Sequence, residues 1–172
     1  MNKIPKMETH KRLVAYHEAG HVIAHIESHI AFKYVRIRSI NGVYTGLIEL
    51  YPSKSSKSLE YFLIPSYFFK NFPLDFIGYA GYLAESIYKP EINNNHGGYD
   101  DLQRIKSCYK DFPTDLKEKY FQFLESYTRN ALVKDWYAVS AIAEALIEKE
   151  TLTLDRALSI AKNAAAMQAG LS

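Results

Sequence analysis

Apolar residues recur at helical spacing between residues 10 and 29, where Leu13, Val14, Ala15, Val22, Ile23, Ala24 and Ile26 supply the faces of a helix. The period then changes to two. Residues 34–40 and 43–51 alternate and are rich in Val, Ile, Tyr and Thr, with Asn41-Gly42 between them. Asn-Gly is a strong tight-turn signal, so the two segments predict a β-ribbon. Residues 52–58 (Pro-Ser-Lys-Ser-Ser-Lys-Ser) read as a polar loop. Helical spacing returns over 74–89 and stops at Pro90. A loop over 90–99 carries Asn93 to Asn95 and Gly97-Gly98, and a helix to about residue 110 follows, with Asp100 or Asp101 placed to cap it. Pro113 ends that run, and residues 114–168 are helical in pattern with breaks expected near 134–137 and 150–153. These elements predict a mainly α fold, a helical array with a small two-stranded β-ribbon, in a single domain spanning 1–172.

Composition narrows the function classes. The apolar share of 48% and the charged share of 23% are those of a folded globular chain. A net charge of +2, with no Lys/Arg run, gives no footing for nucleic acid. Lys70, Asp75 and two prolines interrupt the aromatic stretch 61–84, so no membrane-spanning helix is expected. The apolar stretch near the N-terminus contains His17, Glu18 and His21, which is not the composition of a signal-peptide core. The single cysteine, Cys108, excludes an internal disulfide and fits a reducing, cytoplasmic setting.

The chemistry lies in His17-Glu18-Ala19-Gly20-His21, an HExxH pattern inside the first predicted helix. Residues four apart share a helix face, so both imidazoles can reach one zinc ion. Glu18, rotated from them but close, can take a proton from a water that the metal activates. A chance HExxH in a chain of this composition has a probability of about one percent. His25 and His29 continue the four-residue spacing, but each step turns the face by about 40°, so they are expected to be packed or exposed rather than metal-binding. His10 has no evident partner in the sequence. Catalytic zinc usually has three protein ligands and an open position, and Glu85, His96, Asp100 and Asp101 are chemically admissible thirds. Cys108, seven residues past Asp101 on the same helix face, reads as a small buried thiol.

In this order along the chain the residues resemble the peptidase domain of the FtsH family, ATP-dependent zinc metalloproteases. "VAYHEAGHVIA" (14–24) resembles the family's zinc helix, and "VRIRSINGVYTGLIELYP" (35–52) its β-ribbon, with Gly46 at a family glycine. "IGYAGYLAESIY" (77–88) is similar, more loosely, to its Gly-Gly-Arg-x-Ala-Glu-Glu helix. "GGYDDLQRI" (97–105) resembles its Gly-Ala-x-x-Asp-Leu-x-x-Ala segment, and "AIAEALIEKETL" (141–152) its C-terminal helix. The resemblance implies Asp101 as the third zinc ligand, with Asp100 at the polar position before it. It implies Glu85 near the zinc site, where such a residue orients a ligand histidine. It also implies that the strand at 43–51 borders the active site, so that Thr45, Gly46 and Leu47 would meet an extended peptide through main-chain hydrogen bonds. On that reading Gly46 lets the peptide approach closely, and proline at Thr45 or Leu47 weakens cleavage if its lost N–H faces the substrate.

The departures are as informative. These residues contain no P-loop pattern and no AAA module, and His96 and Tyr99 stand before Asp101 where the family has small residues. The expectation is therefore a zinc endopeptidase acting on unfolded or extended polypeptide without its own ATPase, with a homo-oligomer or a separate unfoldase as the partner arrangements to consider. Two rivals stand beside it. One is a non-catalytic zinc-binding module that regulates a larger protease, against which Glu18 argues. The other is an HExxH peptidase of another group that cleaves one regulatory protein, from which Asp101 as third ligand would distinguish it.

Overall fold

A computed structural model describes residues 6–52, 67–90 and 98–170 of the chain. Helix α1 (Lys6–Glu27) leads into strands β1 (Phe32–Ile40) and β2 (Val43–Leu50). Four helices follow: α2 (Tyr67–Tyr88), α3 (Gly98–Cys108), α4 (Thr114–Lys134) and α5 (Trp136–Lys149). Strand β3 (Thr151–Thr153) and helix α6 (Leu154–Gly170) complete the described chain. The expected mainly α fold with a small β element is what the molecule has.

α1 is the centre of the array. It packs against α2, α5 and β2, and Ala15, Ala19, Val22 and Ala24 are fully buried. Small residues permit the closest of these approaches. A Cβ on Gly20 would collide with the Ala80 carbonyl and the Ala84 methyl, so α1 and α2 meet there backbone to side chain. Tyr16 stacks on Tyr88 with ring centroids 3.8 Å apart and reaches Trp136 at 5.8 Å, which ties α1 to α2 and to the start of α5. One connected core runs from Ala15 in α1 through Val35, Leu83, Leu124 and Ile142 to Ala157 in α6.

The ribbon has a third strand. Asn41-Gly42 forms the turn between β1 and β2, both residues with positive φ (52° and 80°), which Asn and Gly adopt at little cost. β3 pairs antiparallel with β1 on its other side, giving the order β2-β1-β3. It falls in the expected helix break at 150–153. Glu150 closes α5 in the left-handed region (φ 58°), and Leu152 turns into the core opposite Val35.

α2 begins at Tyr67 rather than at 74 and runs through Pro73. That proline removes one backbone donor. Aromatic packing spans the interruption: Phe72 and Phe76 each lie against Tyr127 of α4, at 5.0 and 5.2 Å. The helix ends at Tyr88, just before Pro90 as expected. α3 begins at Gly98, so Asp100 and Asp101 sit in its first turn instead of capping it, where a negative charge complements the helix dipole. The break between α4 and α5 narrows to Asp135. Most of the polar loop at 52–58, and His96, lie outside the described residues. No helix among the described residues is long and apolar enough to cross a membrane.

Candidate metal centre

α1 presents His17 and His21 on the side facing α2, and α3 brings Asp101 to them. His17 Nε2 and His21 Nε2 are 2.9 Å apart, and Asp101 Oδ2 is 3.2 Å from each. These three atoms form a group able to hold a metal ion. A tetrahedral ion with bonds of about 2.0–2.1 Å separates its ligand atoms by about 3.3 Å, close to this triangle.

The tautomers explain why the group suits a cation. His21 Nδ1 lies 2.7 Å from the Ile77 carbonyl. A carbonyl only accepts, so the proton is on Nδ1 and Nε2 offers a lone pair. His17 Nδ1 is buried with no hydrogen-bond partner, and Glu85 Oε2 faces it at 3.5 Å, slightly beyond hydrogen-bond length. A carboxylate there also favours the proton on Nδ1. Two imidazole lone pairs and a carboxylate oxygen then point into one small space and repel unless a positive charge sits among them. Burial alone lowers the pKa of His17, but Asp101 and then Glu85 outweigh it and raise the pKa above the ordinary value. Burial alone raises that of Asp101, but the two imidazoles hold it well below the usual carboxylate range. A divalent ion meets all three atoms at once, which a proton cannot.

Glu18 is buried beside the histidines, 6% exposed. Burial raises its pKa, with His21 and His17 pulling the other way. A raised carboxyl suits a group that must take and return a proton near neutral pH. Above it lies Gly46. A Cβ there would occupy the space of the Glu18 carboxylate, so this glycine makes room for Glu18 itself. A Cβ on Gly81 would collide with His21 Nε2 and His17 Cε1. Sequence reasoning missed both constraints, because each depends on which residue lies across the interface.

The structure separates the third-ligand candidates. Asp101 joins the triangle, Asp100 is exposed at the rim of the cleft, and Glu85 stands behind His17. His25 is buried, with Nδ1 donating to the Ile30 carbonyl at 3.0 Å and its ring edge on Phe32. His29 is exposed with positive φ. One is packed and the other exposed, as expected. Two expectations fail. Cys108 is exposed and lines the cleft, because α3 packs on α2 through Leu102 and Ile105. His10 has a partner, its Nδ1 accepting the Tyr44 N–H at 3.3 Å.

That contact also orients β2. Tyr44 directs its N–H away from β1, and Ile37, opposite Gly46, directs its own to Glu150 on the far side. Antiparallel pairing alternates, so Gly46 and Ile48 turn their main-chain groups to the edge that no described strand pairs with, while Thr45 and Leu47 pair with Arg38 and Arg36. The main-chain contacts expected of Thr45 and Leu47, and the proline test at those positions, are corrected accordingly, while both residues line the cleft together with Gly46. This edge and the metal group share one cleft of about 740 Å³, lined also by Leu13, Val14 and Ile77.

No protein-family model matches the chain, and no curated protein matches it.

Proposed function

We propose that this chain is a zinc-dependent endopeptidase that acts on unfolded or extended polypeptide. The observation that carries the proposal is the convergence of His17 Nε2, His21 Nε2 and Asp101 Oδ2 within 3.2 Å of one another, with the Glu18 carboxylate buried next to them. Two imidazoles and one carboxylate are a donor set that zinc takes in catalytic sites, leaving a coordination position open. When bound, zinc supplies a Lewis acid and lowers the pKa of water at that position. His21 is held by the Ile77 carbonyl, and the Glu85 carboxylate faces His17. Glu18 takes the water's proton and returns it to the departing amine. Gly46 and Ile48 on the edge of β2 pair with the extended substrate, which brings its carbonyl to the centre of the cleft. Asp101 as third ligand, on α3, supports likeness to the FtsH peptidase domain over other HExxH groups.

The first test is Glu18→Gln. It should retain zinc and fold and lose peptidase activity by about 10²–10⁴-fold, because an amide cannot accept the proton. Identical behaviour of the two proteins would favour a non-catalytic module. Asp101→Ala should lower zinc content. Full zinc in that variant, with loss in Asp100→Ala or Glu85→Ala, would overturn the ligand set.

A further inference from the structure

α2 places a carboxylate in the cleft that the metal chemistry does not use. Asp75 lies six residues before Gly81, about 9 Å along the helix axis, on the side away from Glu85. It is 7% exposed and lines the cleft. Its Oδ2 accepts the hydroxyl of Tyr109, at the end of α3, and that of Tyr120 in α4 at 2.6 Å. Its Oδ1 accepts no hydrogen bond from a described residue, yet it is not among the atoms sealed from solvent. Asp75 is itself a lining residue of the cleft. No Lys, Arg or His nitrogen of a described residue pairs with it; Arg104, the nearby cation on α3, faces Asp101 Oδ1 at 3.7 Å.

A purely structural pin between α2, α3 and α4 needs only Oδ2. Here two tyrosines from separate elements hold Oδ2 and leave Oδ1 without a hydrogen bond from a described residue. Apolar Leu74, Ile77 and Ile105 line the same cleft. Apolar lining together with a carboxylate oxygen that no described residue partners suits a side chain with a methylene stem and a cationic head. We infer that this end of the cleft is a specificity subsite that takes a lysine or arginine side chain of the substrate, with Asp75 Oδ1 as its acceptor. The inference rests on the peptidase reading for the word substrate, but binding alone can test the site.

The experiment uses one unstructured peptide in which each position around the cleaved bond is Lys, norleucine or Glu in turn. Cleavage is measured with the zinc-loaded wild type, and binding by fluorescence anisotropy with Glu18→Gln. At one position Lys should exceed norleucine by about tenfold or more in kcat/KM and in affinity, with Glu poorest. Asp75→Asn should bring the Lys/norleucine ratio at that position close to one. Should Asp75→Asn fail to fold, by circular dichroism, the double variant Tyr109→Phe/Tyr120→Phe carries the same test, because both hydroxyls that hold Oδ2 are then gone and the ratio should fall; an unchanged ratio there overturns the subsite. A wild-type ratio near one at every position, or a ratio unchanged in a folded Asp75→Asn, overturns the subsite. Cleavage without basic preference removes the subsite and leaves the peptidase. Asp75-dependent binding without cleavage removes the peptidase and leaves the subsite.

Discussion

The two glycines that border the site act on different atoms, so their alanine variants should fail in different ways. Gly81→Ala drives a methyl into both imidazoles. Displacing a ligand's support typically lowers metal affinity by 10–100-fold, and competition with a chromogenic chelator should show a loss of about that size. In Gly46→Ala the three atoms nearest the new methyl all belong to Glu18. It should bind zinc like the wild type and lose up to about 10²-fold in kcat, the order expected when a reacting group is displaced by about 1 Å. Gly46→Ala protein that loses zinc, or Gly81→Ala protein that keeps its affinity, would show that these contacts have been misread. At this scale the sequence was legible where covalent spacing sets geometry: His17 and His21 are one helical turn apart whatever the fold does. It was illegible where a neighbour decides. Gly46 reads as room for a substrate and is first room for Glu18, and Cys108 reads as a small buried thiol and lies in the cleft wall.

At the scale of elements, long periodic segments and strong turn residues were readable, and short or interrupted ones were not. The helix carrying His17 and the Asn41-Gly42 hairpin stand where their patterns put them. β3 is three residues long, too short to show a period, and exists through its pairing with β1. The start of α2 was hidden by Pro73, which reads locally as a boundary although packing against α4 carries the helix through it. The pairing phase of β2 likewise needs its neighbours, since alternation gives a period of two without saying which half faces outward. That phase makes a prediction. If an extended peptide adds to the free edge beside Gly46 and Ile48, N-methylation along the peptide should reduce cleavage at every second position. Each lost hydrogen bond of about 1 kcal/mol should lower kcat/KM about fivefold. Loss at consecutive positions, or at none, would argue against strand addition.

At the scale of the molecule, the proposed peptidase activity turns on the shape of substrate that the cleft would accept. The metal group, Glu18 and the β2 edge line one cleft between α1, the ribbon and α2, so a peptide must be extended to touch all three. A folded domain hides its backbone, and opening it globally costs about 5–15 kcal/mol, whereas loops and termini open far more cheaply. These 172 residues contain no P-loop pattern with which to couple nucleotide hydrolysis to that work. The pure protein should therefore cleave casein and flexible tails and leave stable domains intact, with no stimulation by ATP. The measurement is a series of one substrate fold whose stability is graded by mutations away from the cleaved sequence. Where cleavage requires global opening and reclosing is fast, the rate should fall about tenfold for every 1.4 kcal/mol of added stability, because it follows the population of the open state. Equal rates across the series would show that opening does not limit cleavage and that the cleft takes folded backbone. ATP stimulation of the pure protein would reveal a nucleotide site that neither the sequence pattern nor the cleft suggests.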